Sequence, residues 1–289
     1  MERLKRKIKI YWELIKSLQT ILLLLTGITG FISSQCPYTS WELTIGMTIS
    51  LFLAISGTTV YNMIWDRDID AKMERTKNRP LPANKITVKE AVIFGTIMNV
   101  AGIGLAYYLD PLFAFIIFAG LFIDFVIYTI WLKRTSAWSI VWGGISGGMP
   151  ILAGRVLGVG EVDLTGIILA FSILFWIPTH IMTFNMRYFE DYNYAQIPTF
   201  AAKYGFKNTR IIIALSTIAS AIAFATGAFV LGLSWGFVRI LIIFAGIAFS
   251  FAIYSIIYPS AKSNFQVFKV ASLYMAFAMI VIIFGSIYM

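Results

Sequence analysis

Nine apolar runs alternate with polar stretches along the chain, at 17–35, 42–65, 89–108, 111–131, 138–158, 164–187, 209–231, 236–257 and 265–288. A run of about 20 apolar residues is what an α-helix needs to cross a hydrocarbon core. A helix also satisfies its own backbone hydrogen bonds, which lipid cannot do. The pattern predicts an all-α integral membrane protein with nine transmembrane helices. The first run follows a basic segment and starts like a signal peptide. It lacks a small-x-small cleavage site and more runs follow, so a retained helix is expected. Its amphipathic leading part is expected at the membrane surface.

Composition agrees. Of 289 residues 59% are hydrophobic and 13% charged, with mean hydropathy +0.81, against about 25% charged in a soluble domain. The net charge is +9, and its placement says more than its size. With the N-terminus in the cytoplasm, 21 of the 23 Lys and Arg residues fall on the cytoplasmic side, leaving Arg155 and Arg239 opposite. That asymmetry orients the chain in the cell membrane, with its long polar loops cytoplasmic and its C-terminus outside. A lone cysteine, Cys36, excludes an internal disulfide, and a lone histidine, His180, excludes a multi-histidine metal site. No phosphate-binding glycine fingerprint is present. The basic residues flank apolar spans, so nucleic acid is not an expected partner.

The most informative stretch is N-M-I-W-D-R-D-I-D-A-K-M-E-R-T-K-N-R-P-L, from Asn62 to Leu81. Asn62, Asp66 and Asp70 are spaced i, i+4, i+8, so on a helix they share one face, while Asp68 points elsewhere. Two stacked carboxylates repel unless a cation sits between them. Mg²⁺ suits such a place, taking one or two carboxylates together with phosphate oxygens. Arg75, Lys77 and Arg79 follow, and arginine matches phosphate bidentately. The ordinary alternative is a solvated basic loop.

A weak repeat appears about 120 residues on. The loop after the sixth run carries Glu190 and Asp191, then Pro198, then a Lys-x-Thr before the next run, as the loop after the second run does with Lys85 and Thr87. Thr87 and Thr209 are the expected N-caps. If the two loops face each other, Glu190 and Asp191 complete a two-sided cation site; otherwise they are solvated. His180, in P-T-H, is either an iron ligand or base, or a core histidine bonded to a neighbouring helix. Pro178 should kink its helix. Asp124 lies inside the fourth run and is expected to pair with a buried arginine or amide. Y-T-I-W-L-K-R-T brings Tyr128, Lys133 and Arg134 to the rim, for phosphate or for anchoring. The four glycines of W-G-G-I-S-G-G-M-P, Trp142 to Pro150, are expected to allow close helix packing.

Asn62-x3-Asp66-x3-Asp70 followed by Met73-x-Arg75-Thr76-x2-Arg79-Pro80-Leu81 resembles the first signature of the UbiA-type membrane prenyltransferases. Three further pieces agree in order: Y-T-I-W-L-K-R-T at 128, W-G-G-I-S-G-G-M-P at 142, and P-T-H at 178 with E-D-Y-N-Y-A-Q-I-P at 190. Together they look most like the branch that farnesylates protohaem IX. The resemblance covers roughly 50–210. It implies one membrane-embedded domain over 1–289, with nine helices around a central cavity. It also implies Mg²⁺-dependent transfer of a polyprenyl group from its diphosphate to a hydrophobic acceptor, here a vinyl group of haem B. Asp66, Asp70 and Asp191 are then expected to hold Mg²⁺, with Asn62 and Tyr128 beside them in catalysis. Arg67, Arg75, Arg79, Lys133, Arg134, Arg187, Glu190 and His180 are expected to bind substrates. The chain departs from the branch's usual P-P-H-F and G-I-P-M-L-P, reading P-T-H-I and Q-I-P-T-F-A. Ether-lipid geranylgeranyl transfer and aromatic prenylation are therefore alternatives for the acceptor. A transporter built on the same charges is the alternative from another class, although such proteins place their acids at the bilayer midplane.

Overall fold

The computed structural model describes residues 2–34 and 41–288, and every regular element among them is helical. Cys36 lies outside the described residues. In order the helices are α1 (Glu2–Leu14), α2 (Ser17–Ile32), α3 (Trp41–Trp65), α4 (Arg67–Lys72), α5 (Val88–Leu109), α6 (Pro111–Leu121), α7 (Ser139–Val159), α8 (Leu164–Arg187), α9 (Phe189–Tyr194), α10 (Phe200–Val230), α11 (Trp235–Ile257) and α12 (Ala261–Ile287). α6 runs on without a break as a π-helix over Phe122–Leu132.

Eight of these helices, with α6 and its π continuation taken as one, are long and apolar enough to cross a membrane. The first expected span is the exception. α2 has 16 residues and reaches that length only together with α1, from which it is bent by 57°. The bend sits at Lys16, whose backbone is left-handed at φ 47°. The Thr20 hydroxyl donates to the Ile15 carbonyl across it at 2.9 Å. Leu14 and Ile15 are buried against Val60, Met63 and Leu81, which pins the end of α1 to α3 and the loop that follows α4.

Local chemistry starts the helices. Thr87 and Glu90 form a reciprocal capping box at α5. Asp110, followed by Pro111, caps α6, and Asp163 caps α8. α10 corrects the sequence expectation. It starts at Phe200 under a Thr199 cap, and Thr209 lies inside it, donating back to the Gly205 carbonyl at 2.8 Å. Only at Gly205, where φ is 80°, does the backbone leave helical values. α8 continues through Pro178 as one helix.

The spans form a closed ring in which each packs on the next: α2, α3, α5, α6, α7, α8, α10, α11, α12 and back to α2. α2 also packs on α7, and α8 on α12. Without a hydrophobic drive in lipid, close approach of small residues holds such helices together. At the α2–α7 crossing a Cβ on Gly30 would lie 1.9 Å from the Ile151 carbonyl, and one on Gly154 2.0 Å from the Gly27 carbonyl. Neither position admits a side chain. Separate apolar cores fill the two sides of the ring, one around Phe31, Leu51, Phe113 and Val156, the other around Leu169, Phe224, Leu241 and Met279.

Candidate active site

α3 ends at Trp65 and α4 begins at Arg67, yet the helical phase continues across the join. The Asp66 amide donates to the Asn62 carbonyl at 2.9 Å and the Asp70 amide to the Asp66 carbonyl at 2.8 Å. Asn62, Asp66 and Asp70 therefore stay in i, i+4, i+8 register. Asp66 and Asp70 are each 5% exposed. The side chain of Asp68 is 58% exposed and grips Arg134 through two bonds of 2.7 and 2.8 Å. That fork holds the Asp68 carboxyl below the usual carboxylate range. Arg134 also donates to the Trp65 carbonyl at 2.8 Å, so it fastens the loop after the π-helix to the end of α3.

Both inward carboxylates already hold a cation. Lys133 donates to Asp66 Oδ2. Arg79 donates to both oxygens of Asp70 at 2.9 and 2.8 Å. Burial works against the charge on Lys133, but Asp66 beside it prevails and lifts the ammonium above its ordinary range. Thr76 donates to the Asp70 carbonyl at 2.9 Å and keeps the arginine loop folded over the acids. Two buried oxygens here have no partner among the described residues: Asp66 Oδ1 and Asn62 Oδ1. They lie one helical turn apart.

Asn62 is also part of the wall of a cavity of about 360 Å³, lined by α2, α3, α6 with its π continuation, α7, α8 and Met275 of α12. Most of the wall is apolar or small, including Leu51, Ile117, Ile177 and Gly147. Its polar residues cluster. The Asn62 amide donates to Asp124 Oδ2 at 2.6 Å and the Ser146 hydroxyl to Asp124 Oδ1 at 3.3 Å. An amide is thus the partner of Asp124, as the sequence led one to expect. Tyr128 lies four residues on, with Gly143 against its ring, where a Cβ would come within 2.5 Å. His180 stands on α8 between the rings of Trp176 and Phe268, each 4.6 Å away, and its Nδ1 meets the Ser272 hydroxyl at 3.0 Å. His180 is one of the residues lining the cavity.

Lys16 was not singled out by the sequence, yet it lines the cavity and lies within electrostatic reach of Asp66, Asp70, Arg79 and Lys133. In sequence it is one more basic residue ahead of a span. What brings it inward is the bend between α1 and α2.

The second polar loop meets the first, but not through acids. Ile69 and Met73 pack on Ala195 and Ile197, and the Arg75 guanidinium lies over Phe184 and Tyr188 at 4.9 and 5.2 Å. Asp191 and Glu190 form no ion pair among the described residues, and no three metal-binding side chains gather there. The expected third carboxylate of the cation site is thus not assembled in this conformation, because apolar side chains make the contact between the loops. Arg67 is exposed. Arg187 lies 3.8 Å over the Phe265 ring and lines a second cleft rather than the central cavity.

Comparison with known proteins gives a consistent picture. The family model described as the UbiA prenyltransferase family matches residues 23–282. A protoheme IX farnesyltransferase of Archaeoglobus fulgidus is 42% identical over 228 residues, covering 79% of this chain and 75% of that protein. One of Pyrobaculum islandicum is 34% identical over 95% of this chain and 99% of its own. Among solved structures, a digeranylgeranylglyceryl phosphate synthase superimposes with TM-score 0.82 over the full length of both chains at 20% identity. A UbiA homologue from Archaeoglobus fulgidus bound to DMAPP and Mg²⁺ does so with TM-score 0.70 at 14% identity, over 94% of this chain and 98% of the other. These two structures bear on the fold, and the sequence relatives bear on the family. The enzyme reading thereby displaces the transporter, and the chain belongs to the UbiA prenyltransferase family, as a multi-pass membrane prenyltransferase.

Proposed function

We propose that this chain transfers a farnesyl group from its diphosphate to a vinyl group of haem B, giving haem O, in a Mg²⁺-dependent reaction within one membrane-embedded domain over 1–289. The observation that carries the reading is the junction at Asn62. There, two unpartnered buried oxygens, two paired carboxylates and a set of cations adjoin an apolar cavity that reaches His180. The relatives named protoheme IX farnesyltransferase support the acceptor.

Asp66 Oδ1 and Asn62 Oδ1 are oxygen donors left open on one helix face, and a hard cation takes such oxygens. With Asp70 they fit Mg²⁺, which when bound supplies charge to neutralise the departing diphosphate. Asp191 is a reserve ligand in this reading, brought in if α9 turns inward. Lys133 and Arg79 bind the diphosphate by leaving their carboxylates for its oxygens, Lys16 adds a third cation, and Arg75 covers the site from the loop. Such preorganised cations are worth most where water is excluded. The apolar wall holds the prenyl chain and keeps bulk water from the reactive carbon. Tyr128 stands beside Lys133 facing the same space.

In the chemical step the allylic C–O bond breaks with its electron pair leaving on diphosphate. The vinyl π pair forms the new C–C bond, and water adds to the resulting cation with loss of a proton. His180 is suited to hold the haem iron through Nε2, since Ser272 occupies Nδ1 and the flanking rings fix the imidazole plane. The polar loops are placed in the cytoplasm and the C-terminus outside, on the strength of the Lys and Arg asymmetry. The direct test is mass spectrometry of products formed from farnesyl diphosphate with haem B, a phenolic acceptor or geranylgeranylglyceryl phosphate. Farnesylated haem is expected. Product only with the phenol or the glyceryl phosphate would overturn the acceptor while leaving the transfer.

A further inference from the structure

A second cleft opens between the C-terminal end of α8, the first half of α10 and the start of α12, sharing no lining residue with the central cavity. Its volume is about 930 Å³. Three cations line it, Arg187, Arg210 and Lys262, together with the rings of Tyr188, Phe206 and Phe265. No carboxylate lines it, and none of the three cations has an ion-pair partner among the described residues. Glu190 follows Arg187 by three positions and still does not pair with it.

Two of the cations are held against rings. Arg187 lies 3.8 Å from the centre of the Phe265 ring and Arg210 lies 5.9 Å from that of Phe206. Stacking of this kind orients a guanidinium while leaving its edge free to donate. Arg210 Nε is buried and has no acceptor. A buried donor without an acceptor is destabilising, and three like charges around one space repel. An anion with several oxygens relieves both.

We propose that this cleft is a phosphate-binding site, taking the phosphate of an anionic lipid headgroup or a free phosphate of the same chemistry. Arg210 and Arg187 meet its oxygens through their forks and Lys262 supplies a point charge. The aromatic floor lies at the ends of three spans, where the acyl chains of a lipid would leave toward the bilayer. The site is independent of the prenyl transfer proposed above.

The test uses the full-length protein purified in a zwitterionic detergent. Equilibrium dialysis follows radiolabelled dihexanoyl phosphatidic acid, dihexanoyl phosphatidylcholine and inorganic phosphate. Saturable binding of one equivalent of phosphatidic acid is expected. Arg210→Gln and Lys262→Gln should each weaken it at least about tenfold, the scale of one lost charge-assisted hydrogen bond. Lys262 is exposed, so its variant keeps the test open should Arg210→Gln unfold. Inorganic phosphate displacing the lipid at equal affinity assigns the site to soluble phosphate. Binding without saturation, equal binding of phosphatidylcholine, or wild-type affinity in a folded variant overturns the proposal.

Discussion

Asn62 donates its amide hydrogen to Asp124 at 2.6 Å, joining α3 to the π-helix across 62 positions of sequence and leaving Asn62 Oδ1 without a partner. One amide therefore has two duties: its nitrogen holds a neighbouring helix and its oxygen stays open beside Asp66. Asp124→Ala should leave Nδ2 unpaired against the cavity and cost about 1–3 kcal/mol of stability. Asp124→Asn still offers Asn62 an oxygen and should cost less. Unfolding in detergent reads both, and equal losses would dispose of the hydrogen bond as the cause.

Asp66→Asn and Asp70→Asn should each lower turnover by about a hundredfold or more, the scale of one preorganised electrostatic group. Asp68→Asn should matter far less, because Asp68 is the exposed member of the three and its partner is Arg134. Prenyl-transfer rates for the three variants check this; equal losses would remove the argument from the helix face.

His180→Ala should abolish the absorption change of haem B on binding, while Mg²⁺-dependent binding of farnesyl diphosphate stays nearly intact. The two ligands are assigned to different residues, His180 on α8, Asp66 at the join of α3 and α4, and Asp70 on α4. A histidine that only supports packing would, when replaced, lower the melting temperature and weaken both ligands together.

A reporter fused after Thr135 should lie in the cytoplasm and one fused to the C-terminus outside. The Lys and Arg distribution carries this. The side expected to face outward has few cations, and Arg155 among them is spent: it is 8% exposed, bonded to Asp163 and to the Ser33 carbonyl. Accessibility labelling of single cysteines at the same places gives an independent reading.

The sequence made the spans legible because lipid demands long apolar runs, and the site legible because a period of four residues survives the join at Asp66. Other features needed coordinates. Lys16 reaches the cavity only through a left-handed backbone at the end of α1, and composition does not report that. Thr209 is the cap the loop repeat suggests, but α10 starts ten residues earlier under Thr199 and absorbs Gly205 as a kink. The family resemblance implies Asp191 beside Asp66, the loop repeat alone leaves it open, and the loops do meet. They meet through Ile69, Met73, Ala195 and Ile197, since apolar contact there needs no counter-charge. The π-helix was hidden too. Lys133 donates its amide to the Tyr128 carbonyl five residues back at 2.8 Å, which places the two side chains on one face.

The pairs Asp66–Lys133 and Asp70–Arg79 match each inward carboxylate with a cation of the chain itself. A divalent cation arriving alone finds Asp66 Oδ1 open, but to take Asp70 as well it must evict Arg79 into a place with nothing to receive it. A diphosphate arriving alone must draw the same cations away and strand two carboxylates. When both arrive, each evicted charge finds a new partner. If the proposed reaction holds, metal and diphosphate should therefore bind with positive cooperativity, and reciprocity makes the factor the same for each, in the usual range of about 5- to 150-fold. Titration calorimetry of farnesyl diphosphate with and without Mg²⁺ measures that factor. Lys133→Gln should shrink it, because both oxygens of Asp66 then stand open before either ligand comes; an undiminished factor would place the coupling elsewhere.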